Sequence, residues 1–290
     1  MYRGRFSTSF RSAGIAAALF LFAVSVFGQA AAEIDSLASS VRSGTVEEKR
    51  DALYRLRVIG SEEASRAAIP ALSDPEPIVR ATAAGALSAL PSSEAVDALL
   101  PLLNDKADFV RKEAVIALGR TGDPAAEQSL IRSLERDDEE AVRAAAAEAI
   151  GSVGTAASLL TLTRVLAQKP RDKRQALRRS AARAAGLIAG RLQKSDPANT
   201  TPESFLPSKF KRTFSERRDL TVSVPDFASI SFVLRQVLTN EDERSDTKRE
   251  AAFALGEIGD KSADAPLTRC AFDPDPYLAE SCKEALAKIR

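Results

Sequence analysis

Two groups of side chains in this sequence have types and spacing that suggest chemistry. Cys270 and Cys282 stand twelve residues apart. In an oxidising compartment they can form a disulfide, and the alternative is a pair of small buried thiols. A nucleophilic thiolate is not expected, because none of the 290 residues is a histidine that could activate it. The same lack removes a histidine general base, a Ser-His-Asp triad and every imidazole metal ligand. The second group is basic. The stretch FLPSKFKRTFSERRDLTVSV interleaves Phe205, Phe210 and Phe214 with Lys209, Lys211, Arg212, Arg217 and Arg218.

Charge counts place that stretch in a wider belt. Residues 169–218 carry 14 Lys and Arg against 4 Asp and Glu. The arms on either side are acidic, with 15 against 22 over 31–168 and 9 against 14 over 219–290. Arg171, Lys173, Arg174 and Arg179 join the five insertion cations as candidate binding residues. Three roles stay open for the belt: contact with an anionic partner surface, a solvated face whose Phe rings tuck onto the body, or folding against an acidic arm of the same chain. The acidic cluster Asp137–Glu140 lacks the Gly and alternating spacing of a calcium loop, so neither a metal nor a cofactor is expected. Asn199-Thr200-Thr201 is a weak glycosylation sequon.

The elements that must hold these groups are set by a repeat of about 31 residues. VRATAAGALSAL at Val79, VRKEAVIALGRTG at Val110 and VRAAAAEAIGSVG at Val142 are self-similar, with weaker copies at Leu177 and Thr247. Aligned on a late apolar residue, the copies fall at Leu56, Leu87, Leu118, Ile150, Ala185, Leu255 and Leu286, spaced 31, 31, 32, 35, 70 and 31. Four residues earlier stands Ala, or Cys282 in the last copy. Gly60, Gly122, Gly154 and Gly259 follow as expected left-handed helix stops. A second apolar pattern comes about twelve residues on, at Leu99 and Leu103, Leu130 and Leu134, and Leu162 and Leu166. Each unit is thus helix A, tight turn, helix B, and such units bury their apolar faces only by stacking.

Two charged columns run through the copies. Asp74, Asp105, Asp137, Asp172 and Asp242 precede the aligned residue by thirteen, and Arg80, Arg111, Arg143, Arg178 and Lys248 precede it by seven. They predict a ladder in which each Asp caps the start of helix A and faces a cation of the neighbouring unit. Ser43 and Ala279 break the columns at the two ends, as capping units with no further neighbour to pair with would.

These columns, with the Asp74-Pro75 and Asp273-Pro274 openings, resemble the HEAT repeat family in its short phycobilisome-lyase HEAT-like form, over roughly residues 40–290. The resemblance implies an all-α fold, an α-solenoid of about seven helix-turn-helix repeats with one long insertion. It also implies an interaction scaffold, with a bilin-lyase-like enzyme or ligand carrier as the alternative. The expected division is a signal peptide or anchor over 1–32, repeats over 33–192, the insertion over 193–225 and repeats again over 226–290.

The first thirty residues read as an address. Arg3, Arg5 and Arg11 precede an uncharged apolar run from Ala13 to Phe27 and then small residues, the layout of a secretory signal. The expectation is an exported protein, periplasmic or secreted, or anchored in the inner membrane facing outward if the segment is kept. A non-enzymatic scaffold binding another protein with an acidic surface is the reading favoured here. No nucleic acid is expected, membrane contact would come only through an uncleaved N-terminal segment, and a polyanion or anionic-lipid binding module is the further alternative.

Overall fold

The computed structural model describes residues 30–171, 174–195 and 217–290. Lys209, Lys211, Arg212, the three insertion Phe residues, the sequon, Asp172, Lys173 and residues 1–29 lie outside them. Among the described residues there are α-helices and short 3-10 turns, and no strand. None of these helices is long and apolar enough to cross a membrane.

The chain divides into two compact units at Leu90 and Pro91, inside the block 33–192 that the sequence reads as continuous. The first unit holds α1 (30–43), α2 (Val46–Ile59), α3 (Glu62–Ala68) and α4 (Pro77–Ala86). Helix α1 precedes the first repeat copy and buries Ile34, Leu37, Ala38 and Val41. Arg55 of α2 reaches back to Glu33 at 2.6 Å. The start of α2 is fixed by a reciprocal cap, in which Thr45 Oγ1 accepts from the Glu48 amide and Glu48 Oε2 accepts from the Thr45 amide.

The second unit holds α5 (Ser92–Leu99), α6 (Asp108–Thr121), α7 (Glu127–Arg136), α8 (Glu140–Val153), α9 (Leu159–Leu166), α10 (Gln175–Ser195), α11 (Leu220–Ser223), α12 (Pro225–Thr239), α13 (Ser245–Ile258), α14 (Asp264–Cys270) and α15 (Pro276–Ile289). Helices A (α6, α8, α10, α13, α15) pack in succession, and helices B (α5, α7, α9, α12, α14) alternate with them. Because α10 packs on α13 and α9 on α12, the long insertion leaves the stack unbroken.

The aligned apolar column is the core. Leu56, Leu118, Ile150, Ala185 and Leu255 are fully buried, as are Leu130 and Leu162 on helices B. Each buried Leu or Ile contributes roughly 1.5–3 kcal/mol. The small residues set how closely helices A approach. A Cβ on Gly119 would lie 2.7 Å from Ala149 Cβ, and one on Gly256 would lie 2.9 Å from Ala285 Cα. Gly60, Gly122 and Gly259 do adopt left-handed φ. Gly154 does not: its φ is −66°, correcting the expected stop. Glycine is required there by space, since a Cβ would meet Ile150 O at 2.6 Å.

Gly119→Val is expected to cost about 3 kcal/mol or more through overpacking against α8. Gly122→Ala, at φ 68° with nothing within 4 Å of the added methyl, should cost only about 1 kcal/mol of backbone strain. Urea midpoints of the two variants test the order, and a Gly122 variant less stable than the Gly119 variant contradicts it.

Candidate functional site

The turn before helix A is closed by an aspartate that also receives a cation. Asp74 Oδ1 accepts from the Glu76 amide at 2.9 Å, Asp105 Oδ1 from the Ala107 amide at 2.9 Å and Asp137 Oδ1 from the Glu139 amide at 3.0 Å. Glu76, Ala107 and Glu139 are themselves the N-cap residues. The aspartates therefore close the preceding turn instead of capping the helix as expected, because they sit two residues upstream of the cap.

Lys49 Nζ meets Asp74 at 2.6 Å. Arg111 grips Asp137 through two parallel bonds, Nε to Oδ2 at 2.7 Å and Nη2 to Oδ1 at 2.9 Å. The remaining guanidinium nitrogen turns to its own repeat. Arg80 Nη1 donates to the Asp74 and Pro75 carbonyls at 2.8 and 3.0 Å, Arg111 Nη1 to Asp105 O at 3.0 Å, and Arg143 Nη1 to the carbonyls of Asp137 and Asp138. One planar fork thus ties a turn in its own unit, and in Arg111 it also holds the carboxylate of the next, which a lysine cannot do.

The rung at α10 differs from expectation. Arg178 pairs with Glu243, not Asp242, and the two side chains are 2% and 0% exposed. The Asp242 amide is taken by Asn240 Oδ1 at 3.0 Å, so the turn closes two residues earlier than its counterparts and residue 243 faces inward. Asp242 is exposed, and Lys248 makes no ion pair among the described residues.

A second polar set, not foreseen from the columns, joins the turns before helices B. Glu127 accepts from the Thr155 amide at 2.8 Å and from Ser158 Oγ at 2.6 Å. Asp260 accepts from Ser231 and Arg235. The available signal was the residue after each stop glycine, namely Ser61, Asp123, Thr155 and Asp260, whose side chains accept from first-turn amides of the following helical turn.

Two open grooves lie between successive helices B of the second unit. The first, of about 890 Å³, is lined by Asp97 and Asn104 on the α5 side, by Ser129, Arg132 and Arg136 of α7, and by Arg111 and Asp137 of the ladder. The second, of about 400 Å³, is lined by Glu135 of α7, by Thr161, Arg164 and Val165 of α9, and by Arg143, Gln168, Arg174 and Leu177. A shift of 32 residues carries Arg111 to Arg143, Ser129 to Thr161, Arg132 to Arg164 and Arg136 to Gln168.

The described members of the basic belt are largely tied within the chain. Arg171 is exposed, and Arg174 donates to Gln168 Oε1. Arg179 faces Asp246 at 3.9 Å, and the neighbouring Arg183 faces Glu250 at 3.2 Å. Arg217 meets Glu257 at 3.1 Å, and its amide donates to Lys288 O at 2.9 Å. Arg218 O accepts from Gln193 Nε2 at 2.6 Å. Three acids of α13 thus neutralise part of the belt, and one of them, Glu257, holds the returning end of the insertion. Gly259 makes room for that return, since a Cβ there would lie 2.5 Å from Arg218 O.

Cys270 and Cys282 are joined as a disulfide with Cα atoms 5.9 Å apart, tying α14 to α15. Cys282 fills the buried small-residue position that Ala holds in the other copies. Among the described residues no cluster of His, Cys, Asp or Glu could hold a metal ion.

Comparison with known proteins accords with this geometry of paired helices, small-residue seams and closing aspartates. The HEAT repeats profile matches residues 34–117 and 99–186, more than half of the chain. The chain belongs to the HEAT-repeat family. The PBS lyase HEAT-like repeat matches residues 247–273, so HEAT units resume after the insertion. An engineered protein of known crystal structure superposes with a TM-score of 0.53 at 20% identity, covering 88% of this chain and 68% of that one. The complex of CpcE and CpcF of phycocyanin lyase from Nostoc sp. gives a TM-score of 0.48 at 18% identity over 89% of this chain and 94% of that one. Deoxyhypusine hydroxylase-B of rice is 42% identical over 59 residues, 20% of each chain. This chain therefore spans about a fifth of that relative's length.

The ladder aspartates of these HEAT units carry a pH signature. Burial works to raise the Asp137 pKa, but the Arg111 hydrogen bonds, the Glu139 amide and the charges of Arg111 and Arg143 outweigh it and hold the carboxyl below its ordinary value. Asp74 is lowered in the same way against burial by Lys49, the Glu76 amide and Arg80. A depressed folded-state pKa gives stability that is fully present above the unfolded-state value, about 3.9, and is lost as pH falls through the folded value. Urea midpoints should therefore fall steeply below about pH 4. Asp137→Asn should be less stable than wild type at pH 7, with a shallower fall. Parallel acid limbs for the two proteins would contradict the assignment.

Proposed function

We propose that this protein is an exported scaffold of the cell envelope, without covalent chemistry of its own, that binds another protein along the helix B side of its second unit. The single observation that carries this reading is the pair of consecutive polar grooves whose Arg and hydroxyl side chains recur at one-repeat spacing. Such repetition suits an extended partner segment better than a compact small ligand. Export draws support from the N-terminal run after Arg3, Arg5 and Arg11 and from the absence of free cysteines among the described residues, which suits an oxidising compartment. The basic belt supports a partner with an acidic surface.

An enzyme is the second reading, favoured by the 59-residue match to deoxyhypusine hydroxylase-B. Hydroxylation at a metal site held by imidazoles would need histidines, and these 290 residues contain none. The scaffold reading needs no such donors.

Pull-down of the chain from an envelope extract of its own source organism, followed by native mass spectrometry, tests the proposal. A stoichiometric protein partner is expected. Its recovery should drop at least about tenfold when Arg164 and Arg174 are changed to Glu, the loss expected for reversed charge at a desolvated contact. A partner held equally by that variant and by one with Lys209, Lys211, Arg212, Arg217 and Arg218 changed to Glu would overturn both surfaces. No partner at all would overturn the scaffold.

A further inference from the structure

The two grooves repeat each other in position but not in charge. At the mouth of the first stand Asp97 and Asp138. One repeat later the sequence replaces Asp138-Glu139 with Lys173-Arg174, and Arg174 lines the second groove. The described lining of that groove carries Arg143, Arg164 and Arg174 with one carboxylate, Glu135. Glu135 is already engaged, accepting from Thr161 Oγ1 at 3.0 Å and from Arg164 Nη1 at 3.3 Å. Arg174 is turned to the neutral Gln168 amide and Arg143 to turn carbonyls, with Glu140 no nearer than 3.7 Å. Among the described lining residues three guanidinium groups thus stand against one engaged carboxylate in a space of about 400 Å³, and Arg143 is also paired with Glu140 at 3.7 Å.

We infer that the groove between α7 and α9 is a carboxylate-binding subsite that takes an Asp or Glu side chain from an extended segment of the partner protein. Forked guanidinium donors match a carboxylate in geometry as well as charge. Val165 also lines the groove and is partly exposed, offering apolar surface to the methylenes of a Glu side chain. Glu135 argues for a peptide over a densely charged polyanion, because a peptide can set a neutral or basic residue opposite it whereas a phosphate chain cannot. Helices B spaced by roughly 10 Å match about three residues of extended chain at ~3.3 Å each. The acid-flanked first groove is therefore placed for a Lys or Arg about three positions away. This inference rests on the reading of the chain as a protein-binding scaffold and assigns the chemistry of one part of that surface.

The test uses the full chain and fluorescein-labelled twelve-residue peptides, measured by anisotropy at low and physiological salt. One peptide carries Glu and Lys three positions apart; its control replaces Glu by Gln. The Glu peptide should bind at least about tenfold more tightly than the Gln peptide, the size of one charge-assisted hydrogen-bonded contact. The variant with Arg164→Ala and Arg174→Ala should lose that preference, whereas Arg50→Ala, at an exposed position of the first unit, should keep it. Both altered side chains lie at the groove surface, and an unchanged thermal transition shows that the fold is intact. Equal binding of the two peptides, or a preference that survives the double variant, overturns the subsite. Tighter binding of a heparin oligosaccharide than of the Glu peptide, lost in the same variant, overturns the peptide assignment in favour of a polyanion. A partner captured from extract while the peptides fail would sink the subsite and leave the scaffold reading standing.

Discussion

The interaction on which the rest depends is the fork of Arg111. A stack of helical hairpins has one soft coordinate, the sliding of each unit along its neighbour, and apolar burial alone fixes it poorly because Ala and Leu surfaces are similar at several registers. Arg111 joins the Asp105 carbonyl of its own unit to the Asp137 carboxylate of the next. The same Asp137 closes the turn that starts α8. Turn geometry and inter-unit register are thereby one event, and a slip of either breaks both.

With register fixed, close packing follows on one side and open space on the other. Glycine and alanine bring helices A together at Gly119 with Ala149 and at Gly256 with Ala285. Helices B carry Leu130, Leu134, Leu162 and Leu166 inward, and their opposite faces are left apart by grooves walled with Arg, Ser and Thr. The proposed recognition surface is therefore a by-product of asymmetry between the two helix layers. The insertion adds to this without disturbing it, since Gln193, Glu257 and Lys288 O hold its returning end at Arg217 and Arg218.

Much of this was legible in the residues themselves. Ala, or Cys282 in the last copy, four residues before each aligned apolar residue and Leu pairs at i, i+4, repeated at a period of about 31, specify paired helices, because that spacing follows the helical turn. The charged columns specified the rung of Arg111 and Asp137. They failed at Asp242, where Asn240 closes the turn early and Glu243 takes the buried position. A column counts residues, whereas a rung depends on where the turn closes. The helix α1 was not foreseen because it precedes the first aligned copy and carries neither column. The grooves were invisible because they exist only between successive repeats, through residues such as Arg132 and Arg164 that read singly as ordinary exposed charges.

A double-mutant cycle on Arg111 and Asp137 tests the central claim most directly. Urea unfolding of Arg111→Ala, Asp137→Ala and the double variant at pH 7 should give a coupling free energy of about 1.5–3 kcal/mol, as for a partly buried, doubly hydrogen-bonded ion pair. Coupling of that size, joined to faster amide exchange at Glu139 in both single variants, is the predicted result. Coupling near zero would mean that the rung decorates a register set by apolar packing alone, and the account would be wrong.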